Sequence, residues 1–259
     1  MGAIVGDTIG SAYEFSPTKD YDFDMYRPIS RYTDDSLMTI AIANAILANK
    51  SLPTDVVASS MKTLGCKYFN VGYGPAFRRW LKNGNEPYNS WGNGSAMRVS
   101  ACGFAYDTLE ETLDAAKRSA EVTHNHPEGI KGAKATATAI FMARNGESKD
   151  GIKKYITYKF GYNLDYHCND IRDSYQFEVS CQESVPQSIV AFIDSTDYES
   201  AIRLAVSLGG DADTMGAITG AIALAFYKEM PDEMYDFAWN RLSDDLKATV
   251  IEFDEKYLI

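Results

Sequence analysis

The sequence predicts an all-α fold, a compact bundle of many helices that forms one domain over residues 1–259. Apolar residues recur at three- and four-residue steps along most of the chain, which is the spacing of a buried helix face. Small residues are frequent in these segments, as in "AITGAIALA", and they allow helix backbones to approach closely. Because no internal repeat or linker-like stretch divides the chain, we expect a single domain.

The first helix is predicted from the opening stretch "MGAIVGDTIGSAYEF", in which Gly2, Gly6 and Gly10 recur every four residues. Glycine in a helix costs about 1 kcal/mol relative to alanine, so three on one stripe indicate tight packing against another helix. This helix is predicted to end near Glu14, before Pro17. Further segments with helical spacing are Ser36–Ala48, Ser95–Tyr106, Leu109–Val122, Pro127–Ala143, Val185–Ile193, Tyr198–Leu208, Thr214–Tyr227 and Asp244–Phe253.

Strand-like alternation is rare, and Tyr175–Val179 is a modest example. It lies within Tyr158–Glu183, a stretch rich in Tyr, Asp and Asn that we predict to be the most irregular part of the chain.

Charge and composition restrict the class of protein. The formal net charge is −11, which disfavours a nucleic-acid partner because phosphate binding requires a basic face. The four cysteines are scattered without a CxxC pair, so a zinc ribbon is not expected and a reducing compartment is the simplest setting. The apolar run Met215–Tyr227 is shorter than the roughly 20 residues of a membrane span. We therefore expect a cytoplasmic protein without membrane association.

Pairs of carboxylates precede two apolar helices. In "YTDDSLMT", Thr33 is a plausible N-cap with Asp34 and Asp35 in the first turn. Exposed acids in this position complement the helix dipole by about 0.3–1 kcal/mol each, and one such pair would need no other explanation. In "GGDADT", however, Asp211 and Asp213 precede a helix that is apolar on most faces, so they are expected to be buried. A buried carboxylate needs a partner charge or a metal ion.

The two helix starts together indicate a metal centre. They would supply six oxygen ligands: Thr33, Asp34, Asp35, Asp211, Asp213 and Thr214. A site with only oxygen ligands suits Mg²⁺, Mn²⁺ or Ca²⁺ rather than zinc. Two ions about 3.5–4 Å apart would balance four aspartates better than one. An EF-hand is excluded, because Met215 and Ile222 stand where that loop requires ligands.

Two other acids could join this centre. Asp7 and Glu14 lie seven residues apart and therefore share one face of the first predicted helix. On spacing alone, a solvated glutamate at the end of the helix remains the favoured interpretation of Glu14.

Two further stretches are typical of anion sites. In "WGNGSAMRVS", the Gly-Asn-Gly-Ser turn containing Asn93, Gly94 and Ser95 could present backbone N–H groups to a phosphate. Arg98 follows in the predicted first turn of a helix, where a basic residue is unfavourable unless it binds an anion. The alternative is an ordinary turn and cap. In "THNHPEGIKGA", His124 and His126 precede Pro127, and they either line a site or cap a helix.

The motifs "GDTIGSAYEF", "YTDDSLMT", "WGNGSAMRVS", "THNHPEGIKGA", "SVPQSIVAF" and "LAVSLGGDADTMGAITGAIA" occur in this order along the chain. Together they resemble the ADP-ribosylglycohydrolases of the dinitrogenase-reductase-activating glycohydrolase type. The resemblance extends from residue 1 to about residue 227. It implies an all-helical fold with a binuclear Mg²⁺ or Mn²⁺ site in a cleft. The implied reaction is hydrolysis of the bond between the distal ribose of ADP-ribose and an acceptor, in an ADP-ribosylated protein or a small conjugate.

The resemblance also implies roles for individual residues. The metal ligands would be Thr33, Asp34, Asp35, Asp211, Asp213 and Thr214. Glu14 would lie at the metals on a movable loop, and the catalytic group would comprise Glu14, Asp35 and Asp213. ADP-ribose would be bound by Asn93, Gly94, Ser95, Met97, Arg98 and His124.

Two other functions are compatible with these motifs. One is an ADP-ribose-binding or structural protein of the same fold that lacks catalysis, and the other is a metal-dependent nucleotide phosphohydrolase. The sequence does not identify the acceptor, which could be arginine, serine, an O-acetyl group or a nucleic-acid end.

Overall fold

The computed structural model describes residues 1–257 and contains fifteen helices within them. The first seven are α1 (Gly2–Gly10), α2 (Asp34–Ala48), α3 (Thr54–Lys67), α4 (Pro75–Asn83), α5 (Gly94–Met97), α6 (Ser100–Ala105) and α7 (Leu109–Glu121). The others are α8 (Pro127–Arg144), α9 (Lys149–Phe160), α10 (Cys168–Ile171), α11 (Cys181–Asp194), α12 (Tyr198–Val206), α13 (Ala212–Tyr227), α14 (Asp232–Trp239) and α15 (Asp244–Tyr257). No β-sheet forms among the described residues, and the prediction of an all-α fold is confirmed.

The helices α1 and α13 lie at the centre of the bundle and run antiparallel with their backbones in contact. A Cβ atom added at Gly6 would lie 1.9 Å from the Gly216 carbonyl oxygen, and one at Gly2 would lie 2.4 Å from that of Gly220. At Gly10 the Cβ atom would lie 2.2 Å from the Ala212 carbonyl oxygen. The tight packing predicted from the glycine stripe is confirmed, and it brings the carboxyl end of α1 next to the amino end of α13.

One predicted helix is interrupted in the structure. The single helix expected over Ser95–Tyr106 is divided into α5 and α6, with Arg98 and Val99 between them. Both short helices pack against α8, so the apolar spacing continues across the break and does not reveal it. The segment Tyr175–Val179, which shows modest strand-like alternation in its sequence, is irregular, as predicted for the stretch that contains it. The pairing nearby within residues 1–257 is an isolated bridge between Gly92 and Ser180.

The expected irregularity of the region after α9 is confirmed, since residues 161–180 contain only the four-residue helix α10. None of the helices in residues 1–257 combines the length and the apolar character that crossing a bilayer requires.

Candidate active site

The carboxylate of Asp7 connects α1 to the start of α2. Asp7 is fully buried, and it accepts hydrogen bonds from the backbone N–H of Thr33 at 2.9 Å and from Thr33 Oγ1 at 2.7 Å. It also accepts from the backbone N–H of Ser36 at 3.0 Å and from the Ser36 hydroxyl. These bonds satisfy N–H donors that the first turn of a helix leaves free, and they fix α2 against α1.

Two groups of carboxylates converge where α1, α2 and α13 meet. Asp7, Asp35 and Asp213 each offer an oxygen atom, and these atoms all lie within 4.8 Å of one another. Glu14, Asp211 and Asp213 form a second group under the same limit. Asp213 belongs to both groups, so the two clusters are contiguous. Residues from both ends of the chain therefore build one acidic centre.

Burial and mutual repulsion make the ionised state of these acids unfavourable. Desolvation, followed by repulsion from neighbouring carboxylates, raises the pKa of Asp35 and Asp213 well above the ordinary carboxyl range. Burial raises the pKa of Asp211 to about 6. Burial and the adjacent Asp213 raise the pKa of Glu14, which is half-buried, to about 8. The cluster therefore favours either bound protons or bound cations.

The composition of the cluster fits divalent cations. Oδ1 of Asp35 is buried and has no hydrogen-bond partner. The ion pairs found within residues 1–257 include none of these five clustered acids. Carboxylate oxygens without a basic partner are the ligands that Mg²⁺ and Mn²⁺ prefer.

The ligands predicted from the sequence occupy different positions around this centre. Asp35, Asp211 and Asp213 belong to the two carboxylate groups. The Thr33 hydroxyl faces Asp7 and lies 3.2 Å from Asp35 Oδ2. Asp34 and Thr214 lie outside the two groups but line the adjoining cleft.

The sequence predicts Asp7 only as an acid that could join the metal centre, whereas the structure places it among the central carboxylates. The available signal was its position on the same helix face as Glu14.

The acidic centre opens into a cleft of about 370 Å³. One wall consists of the acids and the start of α2, and another contains the Gly92–Gly94 turn and the irregular segment before α11. The side chains that line it are Glu14, Asp34, Asp35, Met38, Pro75, Ala76, Phe77, Tyr88, Ser90, Asn93, Met97, Arg98, His124, Phe177, Val179, Asp211, Asp213 and Thr214. Phe177 and Val179 are 48% and 49% exposed, so this wall offers an apolar surface to a ligand.

The Gly92–Gly94 turn is held directly against the acids. Asn93 is buried, and its Nδ2 donates to Asp211 Oδ2 at 2.7 Å and to Ser184 Oγ at 3.2 Å. Ser95 Oγ donates to the Gly129 carbonyl at 2.7 Å. Within residues 1–257, the backbone N–H groups of Gly94 and Ser95 donate to no protein acceptor. Gly94 lines the cleft, whereas Ser95 is fully buried, so the turn retains one free donor at the cleft, the N–H group of Gly94.

Comparison with known proteins agrees with this architecture. Residues 1–250 match the family model described as ADP-ribosylglycohydrolase. The chain belongs to the ADP-ribosylglycohydrolase family. It is similar to human ADP-ribosylhydrolase ARH3, with 27% identity over 87% of this chain and 83% of that protein. It is also similar to the ADP-ribosyl-[dinitrogen reductase] glycohydrolase of Rhodospirillum rubrum, with 24% identity over 88% of this chain and 83% of that protein.

A solved structure described as an ADP-ribosylglycohydrolase-related protein complex has the same fold. Its TM-score is 0.73 at 23% identity, and the alignment covers 98% of this chain and 95% of that one. The recognition made from the six motifs is confirmed.

In this ADP-ribosylglycohydrolase, Arg98 has partners within the protein. It is 1% exposed, and its Nη2 donates to the Ser119 carbonyl at 2.8 Å, to that of Ala120 at 3.3 Å and to Thr123 Oγ1 at 2.9 Å. Its charge thus stabilises the carboxyl end of α7, where carbonyl groups are free. These bonds explain why a basic residue is tolerated in the Gly-Asn-Gly-Ser segment without an anion bound to it directly.

The two neighbouring histidines of this glycohydrolase have different surroundings. His124 lines the cleft, and its Nδ1 lies 2.7 Å from Thr123 Oγ1. Burial, together with the nearby Arg98 charge, lowers the pKa of His124 well below its usual range. His126 instead caps α8, with its Nδ1 accepting from the backbone N–H of Glu128 at 3.1 Å. The capping interpretation of the sequence applies to His126, and the cleft interpretation applies to His124.

Proposed function

We propose that this protein is a metal-dependent ADP-ribosylhydrolase. It hydrolyses the glycosidic bond between the distal ribose of ADP-ribose and an acceptor in an ADP-ribosylated protein or small conjugate. The observation that carries this proposal is the convergence of two carboxylate groups at the floor of a cleft whose wall is a turn with a free N–H donor. Membership in the ADP-ribosylglycohydrolase family supports it.

Two Mg²⁺ or Mn²⁺ ions are the proposed cofactors. Their ligands are the proposed set Thr33, Asp34, Asp35, Asp211, Asp213 and Thr214, to which the carboxylate positions add Asp7 and Glu14. Such ions supply Lewis acidity when bound, and they orient ribose hydroxyl groups. The shared position of Asp213 between the two carboxylate groups suits a residue that bridges two ions.

Glu14 is the proposed acid–base group. It follows the end of α1, lines the cleft and is only half-buried, so it reaches both the acidic centre and solvent. From this position between the acidic centre and solvent, Glu14 can donate a proton to a leaving group. Its ionised form would then accept a proton from water. Asp35 and Asp213 complete the proposed catalytic group.

The remainder of ADP-ribose is proposed to bind along the turn that contains Gly94 and Ser95. The free N–H group of Gly94 suits an oxygen of a pyrophosphate, and His124 lies beside it. Asn93 and Met97 line the same wall. Arg98 contributes indirectly, through its bonds to the end of α7.

The test is a panel of ADP-ribosylated acceptors with arginine, serine and O-acetyl linkages. Each is incubated with Mg²⁺, with Mn²⁺ or with chelator, and the products are separated by chromatography. Free ADP-ribose formed only with a divalent ion is the expected result. Asp211→Asn is the inactive variant, and Asp20→Asn, which changes an exposed acid, is its matched control.

Each of the other outcomes contradicts the proposal. Release of AMP or phosphate would identify a nucleotide phosphohydrolase. Binding of ADP-ribose without turnover on any linkage would identify a catalytically inactive binding protein. Undiminished turnover in chelator would refute the metal dependence.

A further inference from the structure

We propose that Thr123 is a positioning residue that sets the tautomer of His124. Held by Arg98, the Thr123 hydroxyl donates to His124 Nδ1, so that the ring proton resides on Nε2 and faces the Gly92–Gly94 turn. The use of this proton in binding ADP-ribose rests on the proposed function, whereas the tautomer itself does not.

Arg98 determines the direction of the first of the two hydrogen bonds in this relay from Arg98 through Thr123 to His124. A guanidinium group donates hydrogen bonds and accepts none. Burial lowers the pKa of Arg98 to about 10, so the group remains charged at neutral pH. Its Nη2 lies 2.9 Å from Thr123 Oγ1, and that oxygen must therefore accept this bond. One lone pair of the hydroxyl is thereby occupied.

The proton and the second lone pair of the hydroxyl remain available, and the proposed arrangement directs the proton to His124. His124 Nδ1 lies 2.7 Å from Thr123 Oγ1, and this is the closest acceptor recorded for that hydroxyl within residues 1–257. The Tyr88 hydroxyl also lies near Thr123 and is the competing group for the proton. A nitrogen that accepts this hydrogen bond carries no proton, and a neutral imidazole has only one. The proton of the ring is therefore on Nε2.

The Nε2 atom faces the turn. A Cβ atom added at Gly94 would lie 3.2 Å from His124 Nε2, and one at Gly92 would lie 3.7 Å from it. Glycine at these positions keeps the space between the imidazole and the backbone open. The Nε2–H group would then lie beside Gly94, whose backbone N–H group is also free, and these two uncharged donors would lie at the cleft. This arrangement suits an anionic oxygen such as that of a pyrophosphate.

The experiment records long-range ¹H–¹⁵N correlations of the histidine rings in ¹⁵N-histidine-labelled protein, without substrate. The spectra distinguish the two neutral tautomers, and His124→Gln assigns the signals. We expect the Nε2–H tautomer for His124 in the unmodified protein. Thr123→Val removes the hydroxyl at nearly constant volume and should give a mixture of tautomers or the Nδ1–H form. Thr123→Ser should restore the original pattern, and Tyr88→Phe should leave it unchanged.

Binding of ADP-ribose is then measured by calorimetry for the same variants. We expect Thr123→Val to bind ADP-ribose with a tenfold weaker Kd. This corresponds to the loss of one hydrogen bond from His124 to the ligand, worth about 1.4 kcal/mol. Thr123→Ser should bind within about twofold of the unmodified protein. A His124 ring with its proton on Nδ1 in the unmodified protein would overturn the proposal even if Thr123→Val failed to fold. An unchanged tautomer in a folded Thr123→Val protein would overturn it as well.

The two proposals fail separately. If the tautomer responds as expected but no ADP-ribosyl conjugate is hydrolysed, the relay is supported and the hydrolase function is refuted. If hydrolysis occurs and the tautomer of His124 does not depend on Thr123, the hydrolase function is supported and the relay is refuted.

Discussion

Asp7 Oδ1 lies 2.7 Å from Thr33 Oγ1, although Asp7 lies in α1 and Thr33, 26 positions later, caps α2. The bond couples the position of the carboxylate cluster to the start of α2. Asp7 therefore has a structural role that does not depend on any cation, and this role can be measured separately from activity.

Asp7→Asn should destabilise the metal-free protein. Both backbone N–H groups bond to Oδ2, which the amide oxygen can replace, but the amide NH₂ then occupies the place of Oδ1 and cannot accept from the Thr33 hydroxyl. Leaving one buried donor without a partner costs about 1–3 kcal/mol. The free energy of unfolding by urea, measured in chelator, should fall by that amount. Asp20→Asn at the surface should change it little, and equal stability of the Asp7→Asn and unmodified proteins would contradict this role.

Asp213→Asn should have the opposite effect in chelator. It removes one charge from both carboxylate groups and keeps an oxygen that can accept from the Thr214 N–H at 2.9 Å. Relief of about 1 kcal/mol of repulsion would raise the Tm by about 2–4 °C for a chain of this size.

The same variant should no longer respond to divalent ions. For the unmodified protein, an ion at 100 times its Kd stabilises the native state by about 2.7 kcal/mol. Differential scanning calorimetry with and without Mn²⁺ measures both effects. The prediction is contradicted if Asp213→Asn is less stable than the unmodified protein in chelator. It is also contradicted if Mn²⁺ still stabilises the variant, because Asp213 would then not be central to the repulsion among the clustered carboxylates.

Stability in chelator should fall as the pH rises from 5 to 8. Burial raises the pKa of Asp211 to about 6, and burial with Asp213 raises that of Glu14 to about 8. In this interval the native protein binds more protons than the unfolded chain, so the stability present at low pH is lost as the pH passes through these values. The Tm should therefore decrease from pH 5 to pH 8 in chelator.

Saturating Mn²⁺ should reduce or reverse this trend, because cations replace the protons and bind more tightly as the acids ionise. A Tm in chelator that is constant or rises over this interval would contradict the raised pKa values.

Gly6→Ala should shift α13 away from α1. The added Cβ atom would lie 1.9 Å from the Gly216 carbonyl oxygen, so a backbone must move rather than a flexible side chain. Overpacking of this kind costs about 1–3 kcal/mol. Urea unfolding and the Mn²⁺ affinity should both be affected, since Asp213 lies near the start of α13. Gly74→Ala is the control for stability, because a Cβ atom there meets nothing within 4 Å and the φ angle is −61°. Equal losses in the two variants would contradict the proposed contact.

Features determined by neighbouring residues could be predicted from the sequence. The glycine stripe of α1 and the carboxylates at the starts of α2 and α13 are local patterns, and their outcome depends on helix geometry alone. The role of Asp7 could not be derived in this way, because its hydrogen-bond donors Thr33 and Ser36 lie far along the chain.

The break between α5 and α6 near Arg98 could not be predicted either, because Arg98 also has its partners far along the chain. Its acceptor Ser119 is 21 positions away, and no pattern around Arg98 indicates it. Helix α9 was not among the predicted segments, because only Ile152 and Ile156 are buried on it and so short an apolar face gives little periodicity.

The glycine contact between α1 and α13 also has a consequence for biosynthesis. The partner surface of α1 starts at Ala212, about 200 residues later in the chain, and leaves the ribosome that much later. At about 5–20 residues per second, translation leaves the glycine face of α1 uncovered for roughly 10–40 s. During that time the nascent chain holds three of the five clustered acids, Asp7, Glu14 and Asp35, and the cluster can form only after Asp211 and Asp213 have left the ribosome.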